Sequence, residues 1–387
     1  MSEETMNTFE KITHAVKELP NGDKLNINLF RIVGNQPGPH IHIQSSVHGA
    51  EHQGGVVIYE LMKYFLHHPF KGSVTFIPNA NPIALNQKIG TWTFGRFNPV
   101  TGNNWNRNYH DICQINQDLS KLDLNKFAQD NKDLEWADIK KSFKKLLFET
   151  YKNLESNLYK RGPNENGHLN LLLQKIASTS DIVLDLHTGP IACRYLYAAD
   201  YTRTSAAHLD AEVTLLIPPE FGGAMDEATF VPWVKLHQAF KDLGREIPLE
   251  FEAFTVELGS EEVIEFDKAT DDAARILNYL KYRGVIEELS YEKKNPGHAG
   301  FLKDYKCYTS PRGGLVDYRM KPGQIVEEGA EIARFLCFQD LVVGENLDQA
   351  VISYKAPQEL LIVNHNTSAS IAQGGEFFYA LEKFFKI

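Results

Sequence analysis

Residues Ile41–Phe65 read IHIQSSVHGAEHQGGVVIYELMKYF, and the way this stretch divides decides the fold. Ile41–Ser46 alternates as a strand, Val47–Gln53 is a sharp loop, and Gly54–Phe65 is an amphipathic helix with Val57, Leu61 and Tyr64 on one face. A strand that hands over to a helix is the building unit of an open α/β sheet, in which ligands bind at the carboxyl ends of the strands. The handover loop carries His48 and Glu51 to that place. An imidazole and a carboxylate three residues apart can reach one ion from a single turn of backbone. A zinc ion that does chemistry keeps three protein ligands, often two His and one Glu, and leaves its fourth position to water. The third ligand must therefore come from elsewhere. On the local sequence alone, His48 reads equally as a turn residue and Glu51 as a complement to the helix N-terminus.

Two further segments have the same form, an apolar strand that runs into a polar cluster. In Asp181–Gly189 (DIVLDLHTG), His187 falls at the strand's carboxyl end. Asp185 lies two residues earlier on the same face, where it can hydrogen-bond the second nitrogen of a ligating imidazole and fix its tautomer. In Phe254–Ser260 (FTVELGS), Glu257 is flanked by Val256 and Leu258. It either faces solvent or sits at the rim of a buried site, where its pKa rises toward the value a general base needs. Glu250, Glu252, Glu261 and Glu262 compete for that role, but they lie in polar runs and read as solvated. Between these segments, the Asn106-Arg107 pair suits a carboxylate clamp, because a guanidinium forks onto both oxygens and an adjacent amide can assist. The chain lacks a Gly-rich phosphate loop, a Gly-x-Ser-x-Gly elbow and a Cys-His pair, which argues against nucleophilic catalysis by the protein.

The order of these pieces carries more than any one of them. His48-x-x-Glu51, Asn81-Pro82, Arg96, Asn106-Arg107, Asp185-Leu186-His187 and Glu257-Leu258-Gly259 together resemble the succinylglutamate desuccinylase/aspartoacylase family, a branch of the zinc carboxypeptidase-like hydrolases, from about Asn26 to the C-terminus. The resemblance implies one zinc ion per chain held by His48, Glu51 and His187, with Glu257 as base and proton shuttle. It further implies carbonyl polarisation by Arg96, a carboxylate clamp formed by Asn106 and Arg107, and deacylation of an N-acyl amino acid as the reaction. A carboxypeptidase acting on short peptides and a non-catalytic metal- or ligand-binding relative are the alternatives. The chain departs from the family where Asn104-Trp105-Asn106-Arg107 replaces the usual Asp-Leu-Asn-Arg, and the loop from Arg96 to Arg107 is longer than usual.

Composition and layout agree with such an enzyme. A chain of 387 residues exceeds what one core usually serves, and the pattern changes near Tyr291–His298. The expectation is an α/β, mixed-sheet, zinc-carboxypeptidase-like catalytic domain over residues 1–290 and a smaller all-β, barrel-sandwich-like domain over 291–387. Residues 114–178 read as a helical insertion with a solvated charged face; a lid or a dimer surface is the less favoured reading. In the last domain, Val326-x-x-Gly329-x-x-Ile332 is echoed by Ile371-x-x-Gly374-x-x-Phe377, which points to two similar hairpins related by a pseudo-twofold axis. There is no Met-Lys-Met hairpin for covalent cofactor carriage, so this domain reads as support that shapes the site entrance. A net charge of -10 disfavours nucleic acid and anionic membranes as partners. A small anionic substrate would need the local positive field of zinc, Arg96 and Arg107. The N-terminal residues show no leader pattern and no stretch has the length of a membrane span, so the expected location is the cytoplasm; a homo-oligomer is left open. Cys113, Cys193, Cys307 and Cys337 are widely spaced and read as reduced bystanders.

Overall fold

The computed structural model describes residues 7–114, 122–160, 162, 164–295, 297–341 and 346–387. Its frame is a ten-stranded mixed sheet. From one edge the strands are Glu10–Glu18, Lys24–Val33, Lys71–Ile77, Gln36–Ser45, Ile182–Gly189, Glu252–Ser260, Arg194–Ala199, Val213–Ile217, His298–Phe301 and Phe385–Lys386. Gln36–Ser45, Ile182–Gly189 and Glu252–Ser260 are adjacent and parallel, so their carboxyl ends open on the same rim. Ile182–Gly189 is buried along its whole length, as expected of a central strand covered on both faces.

The side-chain period of two sorts these strands between two cores. Ile182, Leu184 and Leu186, with Phe254, Val256 and Leu258, pack under the helices Gln53–His67 and Phe266–Tyr282. Val183 and Ala253 face the other way, toward Met225–Asp242 and the inserted helices. Asp185, His187, Thr255 and Glu257 continue that second face toward the rim, so the alternation that builds the core also gathers the polar residues.

The expected insertion contains the helices Leu124–Asp130, Trp136–Tyr159 and Glu165–Ala177, while part of it, 115–121, lies outside the described residues. Trp136–Tyr159 buries Ile139, Phe143, Leu147, Tyr151 and Leu154 at helical spacing and leaves its lysine-rich face outside. Lys140 and Lys144 reach back to Asp181 at 2.8 and 2.6 Å, fastening the insertion beside the base of a central strand.

Beyond residue 301 the chain forms two small antiparallel sheets around a core that includes Val316, Ile332, Phe335, Phe377 and Phe378. The short repeat read in the sequence is structural. Val326 and Ile371 are buried in two-residue strands, Gly329 and Gly374 turn the chain with φ of 79° and 78°, and Ile332 and Phe377 are fully buried in the strands that follow. Those turns need a residue that tolerates the left-handed region, which is why glycine occupies both. The β region is joined to the main sheet in two ways. Ile191–Ala192 pairs with Leu360–His365, and the last strand, Phe385–Lys386, returns to pair with His298–Phe301. Among the described residues, no helix is long and apolar enough to cross a membrane.

Candidate active site

The His48 loop is held by its neighbours. Ser46 adopts φ 60° at the strand end, and its hydroxyl donates to the Glu51 carbonyl at 3.3 Å. Asn81 donates through Nδ2 to the Val47 carbonyl and accepts the Ala84 N–H at Oδ1, so one side chain caps the short helix Pro82–Leu85 and pins the loop to it. Gly49 lies so close to Ala84 and Gly95 that a Cβ at Gly49 would come within 2.3 Å of the Ala84 backbone, and one at Gly95 within 2.4 Å of the Gly49 Cα. Bare backbone at both positions brings the Gly95-Arg96 turn against the His48 loop.

His48, Glu51 and His187 converge, with one ligand atom from each lying within 4.8 Å of the others. All three are buried: His48 is 4% exposed, Glu51 1% and His187 2%. His48 Nδ1 faces Glu51 Oε1 at 2.8 Å and His187 Nδ1 faces Glu51 Oε2 at 2.7 Å. The outer nitrogens are occupied. His48 Nε2 meets Asn104 Oδ1 at 2.8 Å, and the same oxygen accepts the Asn106 N–H, which identifies it as an acceptor. His187 Nε2 meets Asp185 Oδ2 at 2.9 Å. Each imidazole therefore carries its proton on Nε2 and, when neutral, turns a lone pair on Nδ1 toward a carboxylate oxygen. Two acceptors at such a distance need a proton or a cation between them, and this donor set suits a divalent ion.

Electrostatics support the same requirement. Burial lowers the His48 pKa and outweighs Glu51, keeping that ring neutral. Burial also opposes charge on His187, but the carboxylates of Asp185 and Glu51 win and hold its pKa well above the ordinary value. Burial would raise the Glu51 pKa, yet the two imidazoles bring it well below the usual carboxylate range.

A cavity of about 440 Å³ opens onto this cluster and is lined by Glu257, Arg96, Asn106 and Arg107 among others. Glu257 pairs in register with His187 across parallel strands and is 9% exposed. Its Oε2 has no hydrogen-bond partner. Burial first, and the Glu51 charge second, push its carboxyl up to about 8. Of the competing carboxylates, Glu252 corrects the reading that it is solvated. It is buried, accepts the Tyr279 hydroxyl at 2.5 Å and pairs with Arg283. It also lies an odd number of residues from Glu257 and so points to the opposite face. Glu261 lines the cavity, and Glu262 accepts the Thr93 N–H.

The loop from Arg96 to Arg107 folds on itself through the Phe97–Asn104 bridge and the Asn98 N–H to Asn103 carbonyl bond, which sets Arg96 beside Asn104–Arg107. Arg96 Nη1 lies 3.4 Å from Glu51 Oε1 with the side chain 46% exposed. Asn106 places Nδ2 3.2 Å from His187 Nε2 and accepts the Met225 N–H at Oδ1. Arg107 is exposed and donates Nη1 to the Asn106 carbonyl, while Asn170 of the inserted helix donates to the Arg107 carbonyl. Trp105, which stands where the resemblance leads to a smaller residue, is fully buried in the core and does not line the cavity.

Residues 37–283 match the succinylglutamate desuccinylase/aspartoacylase catalytic domain. The chain belongs to the succinylglutamate desuccinylase/aspartoacylase family. A solved structure of a family protein from Shewanella amazonensis SB2B is 37% identical, with a TM-score of 0.90 over 98% of this chain and 100% of that one. Another, from Shewanella frigidimarina NCIMB 400, is 35% identical, with a TM-score of 0.91 over 98% and 99% of the two chains. A succinylglutamate desuccinylase/aspartoacylase from Rhodobacter sphaeroides shares the fold at 15% identity, with a TM-score of 0.64 over 98% and 95%. No curated protein matches the chain.

In this desuccinylase/aspartoacylase family member, sequence reading missed several residues of the site. Asn104 was visible only as part of a polar run, and its contact with His48 depends on the Phe97–Asn104 bridge. Tyr195 and Tyr197 alternate with core residues along Arg194–Ala199 and reach the cavity. Tyr305 and Asn364 come from the β region, joined by an Asn364 Nδ2 to Tyr305 hydroxyl bond of 2.9 Å, and line the cavity beside Tyr197. No local pattern announces such a lining. Asp226, on the helix Met225–Asp242, also lines the cavity.

Proposed function

We propose that the protein is a zinc-dependent deacylase that hydrolyses the amide of an N-acyl amino acid. The observation that carries this reading is the partnerless Glu257 Oε2, buried beside the His48-Glu51-His187 cluster in one cavity. An unpartnered carboxylate beside a cluster suited to a metal ion is placed to serve as the base that hydrolysis needs. His48, Glu51 and His187 are the residues that would hold zinc, which when bound acidifies water and polarises a carbonyl.

The chain's own groups account for the remaining roles. Glu257, raised toward neutrality by burial, takes a proton from the attacking water and returns it to the leaving nitrogen. Arg96 stands at the mouth of the cluster, placed to meet charge that develops on the carbonyl oxygen. Arg107, assisted by Asn106, holds the substrate carboxylate. The β region's Tyr305 and Asn364 add polar groups to the cavity lining. A hydrolysis screen of N-acyl amino acids against dipeptides, read by released amine, tests the reading. Turnover of acyl amino acids that disappears in Glu257→Gln supports it; turnover confined to dipeptides makes the protein a peptidase.

A further inference from the structure

Asp226 is the most conspicuous group that this reaction leaves unused. It is 2% exposed, lines the cavity, and its Oδ1 has no hydrogen-bond partner. It sits in the first turn of Met225–Asp242, steadied by Thr255 and the Glu227 N–H. That turn runs alongside the clamp segment. The Met225 N–H donates to Asn106 Oδ1 and the Tyr109 N–H to the Gly223 carbonyl, each at 3.3 Å. The turn that carries Asp226 therefore packs against the Asn106–Tyr109 segment on one side, and through Thr255 Asp226 meets the Glu257 strand on the other.

The balance of charge around it is unusual for a site that takes acidic ligands. Besides Glu51 and Asp226, the carboxylates of Glu227, Glu257, Glu261 and Glu376 line the cavity, against the guanidinium groups of Arg96 and Arg107 and the imidazoles of His48 and His187. Arg96 already faces Glu51, and Glu227 accepts the Gly222 and Ala224 N–H groups. Arg107 is left for one carboxylate of a ligand. A second ligand carboxylate placed near Asp226 would meet carboxylates there instead of a cation. Among the described residues no ion pair joins a cation to Asp226, and burial first, then the charges of Glu227 and Asp185, push its carboxyl up to about 7. A buried carboxylate without a counter-charge is costly, and an ammonium brought by a ligand supplies both the charge and the donors.

We infer that Asp226 is a specificity-determining residue that receives an ammonium group of the substrate beside the carboxylate held at Arg107, so that the substrate class is the mono-N-acyl diamino acids and not the N-acyl dicarboxylic amino acids. The deacylase reading enters only in naming the acyl amide; the ammonium site stands on binding.

The test is calorimetric titration of zinc-loaded Glu257→Gln protein, which does not consume its ligands, with Nα-acetylornithine, Nδ-acetylornithine, N-acetylnorvaline and N-acetylglutamate. One of the two acetylornithines is expected to bind at least about tenfold tighter than N-acetylnorvaline, and N-acetylglutamate most weakly. Adding Asp226→Asn should abolish the first preference and leave N-acetylnorvaline binding unchanged. Tightest binding of N-acetylglutamate, no binding of either acetylornithine, or a preference that survives Asp226→Asn would overturn the proposal. A uniform loss for all ligands with a lowered Tm would make Asp226 a structural residue of its helix and overturn it equally. If the preference holds but wild-type protein releases no amine from any acyl amino acid, the ammonium site stands and the deacylase reading fails.

Discussion

Glu257 and His187 stand opposite each other in the register of two adjacent parallel strands. Side chains at paired positions share a face, so a single step of strand pairing sets the candidate base beside a candidate metal ligand. Neither residue is on a flexible loop. Both are anchored by flanking residues that pack under the helices Gln53–His67 and Phe266–Tyr282.

From this arrangement Glu257→Gln should keep the fold and the metal while turnover falls by roughly 10²- to 10⁴-fold, the range for a positioned acid–base group. Steady-state kinetics beside metal analysis of the same preparation checks it. Loss of metal with an intact fold would instead make Glu257 a ligand.

The wild type should bind about one divalent ion per chain, with zinc preferred, and His48→Ala and His187→Ala should each lose it. Uptake should release protons near neutral pH. Without an ion, His187 is held well above its ordinary pKa and Glu257 is raised to about 8, so both carry protons that a cation displaces. Affinity should therefore fall as pH is lowered. Equal metal content in wild type and both variants would remove the metal centre.

Asn104→Ala tests the outer hydrogen bond on His48. Removing the Asn104 Oδ1 acceptor frees the Nε2–H and the ring orientation, and metal affinity should weaken by about 10- to 100-fold with the fold retained. A competition assay with a chelating dye gives the number; an unchanged affinity would show that burial alone orients the ring.

Arg107→Lys should lower kcat/KM for an N-acyl amino acid by about 10- to 100-fold, because a point charge cannot reproduce a fork on two oxygens and the side chain is partly screened by solvent. Amidating the substrate carboxylate should be comparably harmful in the wild type. If free and amidated substrates react equally well, the carboxylate pocket lies elsewhere.

Acid stability should carry the signature of His40. Burial first, and then the neighbouring His42, Lys144 and Arg31, lower its pKa to about 4 in the folded chain, against 6.5 for an ordinary imidazole. Between those values the unfolded chain takes up a proton that the folded one refuses, so this contribution is intact above about pH 6.5 and is lost as pH falls toward 4. Urea unfolding across that interval should show a shallower decline for His40→Gln than for wild type; equal slopes would assign the acid sensitivity to other groups.

What could be read from the chain was whatever depends on local pattern. Apolar runs that end in polar clusters, at Ile41–Glu51, Asp181–Gly189 and Phe254–Ser260, announce strands whose carboxyl ends carry chemistry, because alternation and strand termination are properties of neighbouring residues. The repeated spacing around Gly329 and Gly374 likewise announced two similar turns. What needed the folded molecule was everything that depends on which strand lies next to which. Asn104 reaches His48 only because the 96–107 loop closes on itself, and Glu252 is buried only because its face of the sheet is covered by the helix that carries Tyr279. Tyr305, Asn364 and Asp226 enter the cavity from segments far apart in sequence. Their side chains look like ordinary surface or core residues until long-range pairing sets them against the ends of the central strands, since contacts between distant segments leave no periodic trace in either one.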